Sequence, residues 1–94
     1  MPISFGQRVS VPADTLMNEV AGESVLLSLK SERYFGLDDV GTAMWRALTN
    51  AGSIQASYER LLTEYDVEPE RLRQDLSDFV GKLVEHELIE VQDA

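Results

Sequence analysis

The sequence predicts an α+β fold in which short strands precede three helices. Three observations carry that prediction. Apolar residues up to Leu37 alternate or fall in short runs; after Asp38 they recur at helical spacing; and the regimes meet at Asp38-Asp39, a pair suited to a helix start. At 94 residues the chain has room for one core, so a single domain over 1–94 is expected.

Arg8 to Val11 alternates polar and apolar until Pro12 interrupts it, which suits an edge strand or a strand end. Leu16 to Val20 is a second short strand. Ala21-Gly22-Glu23 reads as a turn, with glycine free to take a positive φ. Ser24 to Leu29 is the strongest strand: apolar, with β-branched Val25, and bounded by turn residues. Lys30 to Arg33 is a polar turn, and Tyr34 to Leu37 the next strand, with Gly36 inside it. A glycine there marks close approach of another backbone. An antiparallel meander of three or four strands is expected.

Asp38 is a good N-cap, and Asp39 adds negative charge where the helix dipole favours it. Val40, Ala43, Met44, Ala47 and Leu48 follow at helical spacing, with Trp45 beside them; Asn50 and Gly52 end that helix. Ser53 caps a second helix whose stripe is Ile54, Tyr58, Leu61, Leu62 and Tyr65. After a break at Asp66-Val67, Glu68-Pro69-Glu70 opens a third helix, with proline in the first turn where its missing N–H costs nothing. Leu72, Leu76, Phe79, Val80, Leu83 and Val84 form its apolar face. Leu88 to Val91 is a short extended segment.

Composition narrows the function classes. The absence of cysteine excludes disulfides and cysteine nucleophiles in this chain and fits a reducing compartment, so a cytoplasmic setting is expected. A lone histidine, His86, excludes a multi-histidine metal site. No apolar run approaches a membrane span, and Met1 to Ser10 lacks the apolar block of a signal peptide. Net charge is −9, and since residues 1–37 carry three bases against four acids, nearly all of it lies in 38–94.

Catalysis has little to work with. The helical carboxylates read as a solvated face, His86 as a residue near a helix C-terminus, and neither a nucleophile elbow nor a phosphate loop is present. No catalytic residue, metal or cofactor is expected. The outline also matches a winged helix-turn-helix, the second reading being a DNA binder. Its third helix, however, carries Arg71, Arg73 and Lys82 against Glu70, Asp75, Asp78, Glu85 and Glu87, and a net-negative helix is ill suited to approach phosphates.

Peptide binding remains. A sheet edge is a row of unpaired backbone groups on which an extended peptide can add a strand. At roughly 100° per residue, Leu72, Leu76, Phe79 and Leu83 cluster within about 60° of the third helix, facing the core. On the flank beyond Phe79 come His86, Asp75, Lys82 and Arg71. A peptide between this flank and the strand Tyr34–Leu37 would meet an aromatic floor, an acid and two bases. The same residues also suit plain core packing with solvated charges.

The stretch YFGLDDVGTAMWRAL, residues 34–48, resembles the PqqD-like family, the recognition elements that bind leader peptides of ribosomally made, modified precursors. The segment RLRQDLSDFVGKLVEHELIE, residues 71–90, is similar to that family's closing segment through Asp75, Leu76 and Phe79. Gly41 and Trp45, after the Leu37-Asp38 turn, are most similar to the stand-alone leader-binding proteins of lasso-peptide pathways; Asp38 stands where Asn is common, and both cap helices.

The resemblance spans about Phe5 to Val91 and implies a winged-helix-like fold, a three-stranded antiparallel sheet packed on three helices. It implies a non-enzymatic module that takes the leader as a further strand and delivers it to processing enzymes. Tyr34, Phe35, Gly36 and Leu37 would be the pairing strand; Arg71, Leu72, Asp75, Leu76, Phe79 and Lys82 the helix wall, with Leu76 and Phe79 forming its apolar pocket. The implied partners are the precursor leader, a cysteine-protease-type leader peptidase and a downstream cyclase, with neither nucleic acid nor membrane. The rival within peptide binding is a peptide chaperone of a quinone-cofactor or other radical-enzyme pathway.

Overall fold

The computed structural model describes residues 3–93. Strand β1 (Gln7–Ser10) ends where Pro12 turns the chain, the Thr15 amide donating to the Pro12 carbonyl at 3.0 Å. Strands β2 (Thr15–Val20), β3 (Glu23–Ser28) and β4 (Arg33–Leu37) then form an antiparallel meander in the order β2-β3-β4. Ala21 (φ 54°) and Gly22 (φ 83°) both lie in the left-handed region, the two-residue turn that matches the twist of a hairpin. Sequence pattern marks only the glycine as fit for it; Ala21 takes the same conformation at a cost of about 1 kcal/mol.

The meander thus has three strands. β1 leaves it and pairs antiparallel with β5 (Glu90–Asp93), Val9 opposite Val91, both packed on the core. This differs from a fourth meander strand for a physical reason: the Pro12 turn redirects the chain, and the extended segment after the last helix arrives as a partner whose pairing with β1 no local pattern announces. Glu87 at φ 59° ends that approach, and the Thr15 hydroxyl donates to the Leu88 carbonyl at 3.2 Å, tying β2 to the closing segment.

Helix α1 (Asp39–Asn50) starts as its cap dictates: the Asp38 carboxylate accepts from the Gly41 amide at 2.8 Å. It ends at Ala51 in extended backbone, so Gly52 is not needed as a left-handed cap. Helix α2 (Ile54–Glu64) is capped by Ser53, whose hydroxyl accepts from the Ala56 amide at 3.0 Å. Helix α3 (Pro69–Glu85) has its proline in the first turn, and His86 closes it with backbone N–H and Nδ1 both at the Lys82 carbonyl.

The core lies between the inner sheet face and the helices. Leu26, Leu37, Trp45, Leu48, Ile54, Leu61, Leu76, Val80 and Leu83 are buried in it, each large side chain contributing about 1.5–3 kcal/mol. Two of its polar ties hold elements in place: the Ser24 and Thr42 hydroxyls, 2.6 Å apart, join β3 to α1, and the Ser57 hydroxyl donates to the Ala47 carbonyl. Tyr65 and Val84, the last residues of their helical stripes, are exposed.

Candidate functional site

The phase of the hairpins decides what β4 offers. In a two-residue left-handed turn the closing pair, here Val20 and Glu23, exchanges both backbone hydrogen bonds, and bonded pairs alternate from there. The Leu29 amide donating to the Asp14 carbonyl at 2.8 Å falls on the same phase. Ser24, Leu26 and Ser28 therefore direct their amides to Leu37, Phe35 and Arg33, and the backbone groups of Tyr34 and Gly36 point away from β3. No further strand joins β4 among the described residues, so these groups face an open edge.

Beside that edge lies a groove of about 490 Å³ between β4 and α3. Phe35, Leu37, Met44 and Phe79 supply its apolar surface; Asp38, Asp75, Asp78 and Lys82 supply charge, three acids against one base. Helical spacing explains the far wall: residues 75, 78, 79 and 82 are three or four apart and share one face of α3. Phe79 reaches the groove from the core, where all but 8% of its surface is covered. The His86 ring stands edge-on to Phe35, centroids 5.2 Å apart, and fixes that aromatic at the groove's side. Asp75 lies 3.8 Å from Arg71 through exposed side chains, and Asp78 accepts from Gln74 Nε2 at 2.9 Å, so both carboxylates are held on the α3 surface.

Of the residues expected at the site, Phe35, Gly36, Leu37, Asp75, Phe79 and Lys82 come together in the groove. Tyr34 does not: strand alternation puts its side chain on the opposite face, 76% exposed, and only its backbone serves the edge. Arg71 lies outside the lining. Leu72 and Leu76 lie in the core, Leu76 wholly buried, and outside the groove's lining, whose apolar residue on α3 is Phe79. Gly36 has no close backbone neighbour either, since a Cβ there would meet nothing within 4 Å.

Asp78 and the start of α1 (Val40, Gly41, Met44) line the groove unannounced. The i, i+3 and i, i+4 relations of Asp78 to Asp75 and Lys82 carried a signal for it; the approach of α1 carried none. Among the described residues, no helix is long and apolar enough to cross a membrane, and no cluster of three or more His, Asp or Glu could hold a metal.

Comparison with known proteins identifies the family and the fold. Residues 23–89 match the family model described as coenzyme PQQ synthesis protein D (PqqD). A solved structure of TbiB1 in complex with the TbiA(beta) leader peptide is similar at 31% identity and a TM-score of 0.78, over 85% of this chain and 93% of that one. A lasso peptide synthetase B1 complexed with the leader peptide shares the fold at 22% identity and a TM-score of 0.77, over 88% and 98%. Among curated proteins, none matches.

Proposed function

The chain belongs to the PqqD family, and from that premise we infer that it captures the leader segment of a ribosomally made precursor peptide without performing chemistry on it. The leader docks as an added strand on β4, bonded to the backbone of Tyr34 and Gly36, with alternate side chains entering the groove against Phe35, Phe79 and Lys82. The observation that carries this reading is the open β4 edge lying directly beside an apolar groove. The complex of the 31%-identical TbiB1 with a leader peptide supports the same ligand class, and the resemblance carried by Gly41 and Trp45 favours a lasso-peptide pathway. The bound precursor is presented to a leader peptidase and then a cyclase, its local concentration raised by tethering. The family's own description favours a second pathway, coenzyme PQQ synthesis, with the same docking mode.

Titration with a leader peptide, first the TbiA(beta) leader bound by the 31%-identical TbiB1, tests the reading. Amide resonances of 34–37 and 71–82 are expected to shift together and saturably. Shifts confined to another surface, or none at all, overturn it.

A further inference from the structure

The β4 edge has a hollow on each side of the sheet. Behind the groove, on the outer face, a second depression of about 570 Å³ is lined by Asn18, Val20, Glu23, Val25 and Gly36. Register sets it there: Asn18, Val25 and Gly36 lie side by side across β2, β3 and β4, and Val20 opposite Glu23, all pointing away from the helices. Ser24 and Leu26, their neighbours on β3, are buried on the other face. The hollow exists because Gly36 has no side chain and nothing replaces it within 4 Å. Val20, 68% exposed, and Val25, 45% exposed, give it an open apolar surface flanked by Asn18 and Glu23.

We propose that this hollow is a second specificity subsite, filled by an aromatic or β-branched side chain of the docked leader that projects to the outer face beside Gly36. The inference rests on the strand-addition reading and deepens it. Any strand added to β4, in either direction, sends every second side chain to the outer face. The two hollows share Gly36, Leu37 and Asp38, so one docked segment spans both. A glycine in a strand leaves a gap that a large cross-strand neighbour covers, as in aromatic rescue of edge glycines. The leader is therefore read on two faces, its groove-facing residues by Phe79 and the acids of α3, the residue between them by Val25 and the Gly36 gap.

Selection of a displayed library of random twelve-residue peptides on this protein tests the proposal, with enriched peptides assayed by amide shifts and affinity. Enriched peptides are expected to hold apolar residues two apart, with an aromatic or β-branched residue between them. Replacing that middle residue by glycine weakens binding by about fivefold. Val25→Lys, on an exposed position, shifts the middle preference to acidic residues, and Asn18→Lys does the same from the neighbouring strand. Peptides that shift 34–37 and 71–82 but show no middle preference on any of these proteins overturn the outer subsite and leave strand addition standing. Peptides that leave β4 unshifted overturn both.

Discussion

The meander has two edges, and the chain treats them differently. On β2 the inner face carries Thr15, Met17 and Glu19: the Thr15 hydroxyl is spent on the Leu88 carbonyl, and Glu19, an inward-pointing charge, pairs with Arg46 of α1. Inward charge is a known guard against edge pairing. On β4 the inner face carries Arg33 at the strand's first residue and then Phe35 and Leu37, so no charge stands on that face beside the groove's end of the strand. One edge is guarded and the other is left available beside an apolar groove. The lesson is that an open edge here is selective, since the same sheet shows how it would be closed.

The comparison breaks most visibly at Phe79. Phe79→Ala removes both the groove wall and a core anchor, so a loss of about 3 kcal/mol in stability and about 2 kcal/mol in leader affinity is expected. Denaturant melts and calorimetry, the latter at a temperature where the variant is folded, separate the two; unchanged affinity in the folded variant removes Phe79 from the site.

Proline exploits the hairpin phase. Gly36→Pro deletes an N–H that faces the open edge and leaves the β3–β4 ladder intact, so leader affinity should fall by roughly tenfold or about 1.4 kcal/mol while the fold persists. Met17→Pro deletes the equivalent outward N–H on β2 and should leave leader affinity unchanged. Equal effects of the two substitutions would erase the distinction between the edges.

The smallest effect sharpens the electrostatics. Asp75→Lys reverses one of three acids in the groove at an exposed position, and should weaken binding of a leader with a basic residue by about 0.5–1 kcal/mol at low salt, less at high salt. Tighter binding of that leader would assign the acids of α3 to the wrong side of the ligand.

Much of this was legible in the residues. The helices were, because their signals are local: Asp38 and Ser53 cap within three residues, Pro69 sits in a first turn, and the stripes of α2 and α3 repeat every turn. The β2–β3–β4 meander was legible from short apolar runs between turn residues. Half of the site was too, since Asp75, Phe79 and Lys82 share a helical flank and Phe35 to Leu37 form one strand.

What tertiary structure decided is whatever depends on partners far apart in the chain. The pairing of β1 with β5 joins residues eighty or more apart, and no local window of sequence contains both. The arrival of α1 brings Met44 and Val40 to the groove, and depth of burial moves Leu76 out of it. Backbone direction along β4 was likewise undecidable from residue types: which amides face the open edge follows from the phase of the Ala21-Gly22 turn. Local hydrogen bonding and periodicity are written in neighbouring residues, whereas a groove is a space between elements and exists only once they have packed.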